Sequence, residues 1–314
     1  MSKLSAELTL KILIEIQRGV NEGGSSDGMH MWADAAKCGM RAWLAKQHKR
    51  EEQGKVMIPP LTTDAMNIKS AFAVGSAYHK LHELWRTGMI RDSDLPLQFP
   101  AGPMNASVEE AARLFNGWAA HWPRDFWGKT LAIEGLLPTP GDTEAAAQIV
   151  KALGAPVTAR PDMVVEIRPE DLPRVHGRCP AVVEPGIYII DLKTSDQPYS
   201  ELYYKGGLQA LWYPAAWNIQ FPDSPCKGII FDCIFKFGRR KNKEVTIENF
   251  DAIYVPTERD IDVRSLRGMI GQGHANIQVA KDYGVGNRSE CMQFSFGGIN
   301  VCRWYGNGCT NEGA

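Results

Sequence analysis

Residues 188–195 constrain the fold more than any other stretch: Tyr188, Ile189, Ile190, Asp191, Leu192, Lys193, Thr194, Ser195. Bulky residues with β preference lead into an acid and a lysine two positions apart. Side chains alternate along a strand, so Asp191 and Lys193 point to one side, roughly 6–7 Å apart at ~3.3 Å rise per residue. Tyr188, Ile190 and Leu192 point to the other side, into a core. Such a carboxylate and ammonium can hold a divalent cation beside a charge-stabilising lysine. The same pair on an edge strand is an ordinary surface ion pair, and Asp-x-Lys alone does not separate the two readings.

At 314 residues the chain can bury one large core or two modest ones. A net charge of −1 restricts nucleic-acid binding to a local basic groove. No apolar run approaches the ~18 residues of a membrane span, so none is expected. Glu7, Lys11 and Glu15 interrupt the first apolar residues, unlike a signal peptide. Seven cysteines, an odd number, argue against a secreted disulfide framework and for a reducing, cytoplasmic compartment.

Periodicity predicts helices over residues 4–19, 31–49, 64–87, 107–121, 142–153, 200–217 and 258–282. Ser107 and Glu110 form a capping-box pattern, Gly88 and Gly154 are stop signals, and Pro214 predicts a kink or early end. Strands are predicted over 129–137, 157–167, around Asp191 and over 228–237, with a partner strand from Glu244. In the 228–237 strand Ile229, Phe231, Cys233, Phe235 and Phe237 share one face, leaving Asp232 and Lys236 on the other. The turn between this strand and its partner carries Arg239, Arg240 and Lys241, the densest basic cluster, which serves DNA or simply solvates a loop. The plan is mixed α/β with one central sheet flanked by helices. It divides into an N-terminal helical segment (1–63), a core (64–256) and a C-terminal helix and tail (257–314).

Four short motifs follow in order. Gly75, His79 and Glu83 share a helix face, with a glycine that permits close approach one turn from the histidine. Arg160, Pro161 and Asp162 come next, Pro161 suiting an edge or bulge. Asp191 and Lys193 follow, then Lys205, Gln209 and Tyr213 as a polar helical stripe. Singly, each reads as well as a packed histidine, a turn, an ion pair or a solvated helix face.

Together, His79, Asp162, Asp191-x-Lys193 and Gln209-xxx-Tyr213 resemble the PD-(D/E)XK nuclease superfamily. Within it the order is similar to the RecB-like branch that includes CRISPR-associated exonucleases. The resemblance covers about residues 70–215 and implies a nuclease core around a mixed sheet. It implies a metal-dependent deoxyribonuclease, an exonuclease of 5′→3′ polarity acting on single-stranded or end-bearing DNA, in recombination, repair or phage DNA processing. His79, Asp162 and Asp191 are the implied Mg²⁺ or Mn²⁺ ligands, Lys193 the charge-stabilising or water-orienting group, and Gln209, Tyr213 and Lys205 strand-positioning residues. Glu83 and Glu134 are outer acids, and His82 reads as structural. Alternatives on the same residues are a structure-specific endonuclease and a non-catalytic DNA-binding subunit.

Part of that family carries one cysteine before the core and three after it on a [4Fe–4S] cluster. Cys38 precedes the core here, and Cys291, Cys302 and Cys309 follow it. Thiolates suit iron–sulfur or zinc, and four unrelated thiols are the third reading. No Walker-type phosphate loop is present, so ATP-driven unwinding would come from a helicase or recombination partner.

Overall fold

In the computed structural model the strand that carries Asp191 is central. The structure describes residues 6–21, 71–99, 106–195, 201–205, 207–236, 245–283, 292–295 and 298–301. β3 (Gly186–Ser195) lies between β2 (Met163–Ile167) and β4 (Cys226–Phe235). β1 (Lys129–Ile133) adds beyond β2 and β5 (Phe250–Pro256) beyond β4, giving a five-stranded sheet. Only the β3–β4 pair is parallel; the other neighbours run antiparallel. A parallel pair needs a crossover, and the chain between β3 and β4 supplies it as α6 (Glu201–Lys205) and α7 (Leu208–Gln220). A separate two-stranded sheet pairs β6 (Met292–Ser295) with β7 (Gly298–Val301).

Helices cover both faces. α1 (Ala6–Asn21), α2 (Ala71–Arg86) and α3 (Ala106–His121) pack with Tyr188, Ile190 and Leu192 of β3. α4 (Thr143–Leu153), α7 and α8 (Arg259–Tyr283) pack with Ile189 and with Ile229, Phe231, Cys233 and Phe235 of β4. The alternation predicted for β3 therefore holds, but both faces are buried, so the Asp191–Lys193 pair is not an edge-strand surface pair. α2 owes its place to Ala77, Tyr78, Leu81, Leu84 and Trp85, a helical stripe that is wholly buried. α4 begins at Asp142, whose side chain accepts from the Ala145 N–H at 2.9 Å, and stops at Gly154, with φ 84°. Among the described residues no helix is long and apolar enough to cross a membrane.

Several expectations are corrected. Ser107 lies inside α3 rather than capping it, and Glu110 pairs with Arg113 at 2.8 Å. β2 begins only at Met163, because Pro161 has no N–H to continue a ladder. The helix expected over 200–217 is two helices, α7 starting after an extended Gly207, and it runs through Pro214 to Gln220. β5 begins at Phe250 after a 3₁₀ turn (Ile247–Asn249), not at Glu244. The helix expected over 31–49, the basic tip with Arg239, Arg240 and Lys241, and Cys38, Cys291, Cys302 and Cys309 lie outside the described residues. The register of β1 against β2 shifts between Thr130 and Ala132, a bulge in the outermost strand.

Asp232 lies on the face opposite Ile229, Phe231, Cys233 and Phe235, as the alternation predicts, and there it is 1 % exposed, under α3. Its carboxylate accepts from Trp118 Nε1 at 3.1 Å and Trp127 Nε1 at 2.8 Å, and is ion-paired with Arg178. The Arg178 guanidinium in turn stacks 3.9 Å from the centre of the Trp122 ring. The network ties the segment after β2, α3 and the segment before β1 to β4. Asp232→Ala strands a buried cation and two indole N–H groups, and is expected to destabilise the fold by about 3–5 kcal/mol in urea denaturation. Retention of wild-type stability would show that the network is dispensable.

Candidate metal centre

The site lies where β2 begins. Met163 pairs with Ile190, so β3 from Asp191 onward has lost its neighbour on that side. The Asp162 carboxylate fills the gap: its Oδ2 accepts the Leu192 N–H at 2.7 Å. Its Oδ1 lies 3.2 Å from Nδ1 of His79 on α2. α2 can come this close to β3 because of Gly75, where an added Cβ would sit 3.0 Å from Thr194 Oγ1. What the glycine admits is the strand itself.

Glu134 completes the group. It follows β1 directly, and its N–H donates to the Asp162 carbonyl at 2.9 Å. Its φ of 48° is left-handed, a conformation that costs a non-glycine residue about 1–3 kcal/mol and concentrates at functional sites. Donor atoms of His79, Glu134 and Asp162 all lie within 4.8 Å of one another. Sequence reasoning placed Glu134 only in an outer role; its signal was an acid ending one strand beside the acid that opens the next. A cavity of about 10 Å³, room for about one water molecule, adjoins the three and reaches past Leu192 to His82 and Arg86. His82 is structural as expected, 1 % exposed and in edge contact with the Tyr78, Phe115 and Trp118 rings.

On the other side of β3, Asp191 is ion-paired with Lys193 and stands outside that donor group. Lys193 Nζ also donates to Gln209 Oε1 at 2.7 Å, and Gln209 Nε2 to the Tyr213 hydroxyl at 3.2 Å. Asp191, Lys193, Gln209 and Tyr213 thus form one chain of polar contacts from β3 to α7. Lys205 is not part of it: on its own short helix it pairs with Glu201 at 2.7 Å.

Every acid of the site has its own cationic partner. Glu83 pairs with Lys80 at 2.7 Å, Glu134 with Arg160 at 2.9 Å, Asp191 with Lys193 and Asp162 with His79. Burial pushes Asp162 up, but the charge and hydrogen bond of His79 outweigh it and hold the acid below its ordinary range. Burial likewise disfavours protonated His79, and Asp162 reverses the sign, raising it. Burial dominates for the other two acids: Glu134 rises to about 7, aided by the Asp162 charge, and Asp191 to about 6 despite Lys193. Lys193 loses to burial less than it gains from Asp191 and Asp162, so its pKa is raised. It is an ammonium at neutral pH, suited to stabilising charge rather than to accepting a proton.

One imidazole and two carboxylates form an oxygen-rich set that fits Mg²⁺ or Mn²⁺, the nitrogen favouring Mn²⁺. The described cysteines, Cys179, Cys226 and Cys233, are buried thiols outside the donor group of His79, Glu134 and Asp162.

The shifts fix a pH dependence. Glu134 is raised from 4.5 to about 7, so the native state holds more protons than the unfolded chain across that window. Its contribution to metal-free stability is full below pH 4.5 and is lost as pH rises to about 7. Glu134→Gln is expected to flatten this part of the stability profile in urea titrations, and an unchanged profile would count against the assignment. Mn²⁺ affinity should run the opposite way, falling as pH drops below about 7, because the ion needs the carboxylate. No protein-family model matches the chain, and no curated protein matches it significantly.

Proposed function

We propose that the chain is a metal-dependent deoxyribonuclease of the PD-(D/E)XK type, RecB-like, hydrolysing phosphodiester bonds of single-stranded or end-bearing DNA. The observation that carries this reading is the convergence of His79, Glu134 and Asp162, with a half-buried, charged Lys193 near enough for its charge to act on Asp162 and His79. A five-stranded mixed sheet flanked by helices is consistent with it. The preference for ends and for exonucleolytic action rests on the motif resemblance.

Hydrolysis of a phosphodiester needs compensation of charge on the phosphoryl oxygens and a water of lowered pKa. His79, Glu134 and Asp162 would hold Mg²⁺ or Mn²⁺, which supplies Lewis-acid stabilisation and that lowered pKa when bound. Lys193 offers a fixed positive charge beside them. Asp191 and Gln209 grip its ammonium from two directions, and Tyr213 orients the Gln209 amide. Arg160, half-exposed on Glu134, holds that carboxylate until a cation competes for it.

The motif resemblance extends to an iron–sulfur cluster on Cys38, Cys291, Cys302 and Cys309. Protein purified anaerobically should then contain about four iron atoms and as many acid-labile sulfides per chain. Absence of both would remove the cluster and leave the nuclease reading standing.

Labelled linear single-stranded DNA, incubated with Mg²⁺ or Mn²⁺, is expected to be degraded by the wild type. Lys193→Ala should lower the rate by about 10²–10³-fold, the usual loss for a group that stabilises developing charge. Circular DNA separates exonuclease from endonuclease, being spared by the former. If the wild type cleaves neither form with either metal, the enzyme reading fails.

A further inference from the structure

The cationic partners of the site's acids differ in how they are held. The side chains of His79, Lys80 and Lys193 are 28 %, 12 % and 27 % exposed, whereas that of Arg160 is 46 % exposed. The backbone around Arg160 is fixed on both sides. Ala159 exchanges two 2.8 Å backbone hydrogen bonds with Leu137, and the Asp162 carbonyl accepts the Glu134 N–H. Pro161, next in the chain, biases Arg160 toward an extended backbone. Arg160 thus joins an anchored stem to an exposed end. Its Nε lies 2.9 Å from Glu134 Oε2. Glu134 is itself one of the three residues whose donor atoms fall within 4.8 Å of one another. Beyond Nε, the guanidinium carries further N–H groups on its terminal nitrogens.

We propose that Arg160 is a phosphate-binding residue of this site, displaced from Glu134 by the divalent cation and then donating to a non-bridging oxygen of the DNA backbone. This rests on the nuclease reading and adds to it a coupling between metal and substrate. A divalent ion carries twice the charge of a guanidinium in a smaller volume, so it wins the Glu134 carboxylate. It also repels a guanidinium held against that same carboxylate. The freed fork has planar N–H groups spaced for two oxygens of one phosphate. Because its stem is anchored, the guanidinium stays beside the centre, where a phosphate must lie for the ion to act on it. The resting pair therefore keeps Arg160 neutralised until the ion arrives, and DNA is held tightly only by the metal-loaded protein.

The test uses the full chain carrying Lys193→Ala, so that DNA is bound and not consumed, with and without Arg160→Ala. Mn²⁺ alone is titrated first, the free ion being followed by electron paramagnetic resonance. Arg160→Ala is expected to tighten Mn²⁺ binding by about 2- to 5-fold, because a competing cation is gone. Fluorescence anisotropy with labelled oligo(dT) follows, in saturating Mn²⁺ and in EDTA. In Mn²⁺, Arg160→Ala should weaken oligo(dT) binding by about 10-fold or more and flatten the slope of log K against log salt by about 0.7. In EDTA the loss should be smaller. Arg160→Lys, which keeps the charge, should keep the slope, and Arg160→Gln repeats the comparison with a longer neutral side chain. Thermal melting in EDTA checks that each variant is folded. Equal or weaker Mn²⁺ binding by Arg160→Ala overturns the proposal. So does unchanged oligo(dT) affinity in Mn²⁺, or an equal loss in Mn²⁺ and EDTA; in each case the nuclease reading stands. If the Lys193→Ala parent binds no oligo(dT) in Mn²⁺, the nuclease reading falls with the proposal.

Discussion

The site depends on one carboxylate. Asp162 reaches three elements at once: the Leu192 amide of β3, the His79 ring of α2 and, through its carbonyl, the Glu134 amide after β1. It is free to do so because β2 pairing stops at Met163, and Pro161 has no N–H with which to extend the ladder. A buried carboxylate without such partners would be costly. Here the partners are the site itself, so the interaction that satisfies Asp162 also fixes where the helix, the strand end and the left-handed Glu134 stand. Moving any one of them leaves a charge or a backbone amide stranded.

Two buried acids on neighbouring central strands show how environment separates structure from chemistry. Asp191 on β3 and Asp232 on β4 are each 1 % exposed, at adjacent registers, and face opposite helix layers. Asp232 is closed in by two indoles and a guanidinium that itself lies against an aromatic ring. Asp191 has a lysine whose other contact is a glutamine amide, and that chain of contacts ends at a tyrosine on a half-buried helix face. The first arrangement leaves nothing to exchange. The second is built of flexible, polar ends that can be traded for a ligand's charge.

The parts of the fold with a strong period were legible in the sequence. β3 parity, the α2 stripe and the Asp142 and Gly154 ends of α4 are all local and dictated by side-chain chemistry. The order of His79, Asp162 and Lys193 was legible as well, and the structure brings these residues into one neighbourhood. The face of Asp232 was legible from strand alternation, but its burial was not, because the three donors that surround it come from distant segments. Glu134 was read too weakly for a related reason: its role follows from a backbone twist at φ 48°, which no side-chain pattern announces. The break before Gly207 was missed because Lys205, Gln209 and Tyr213 keep helical spacing across it.

The bulge in β1 acts beyond the geometry of that strand. β1 is an outer strand, and Leu131 at its centre is 40 % exposed, so a regular β1 would offer a row of free amides and carbonyls with an apolar side chain for another chain to join. The shifted register between Thr130 and Ala132 spoils the even spacing such an addition needs, and Lys129 places a charge at the strand's start. The irregularity thus guards the sheet against growing by self-association.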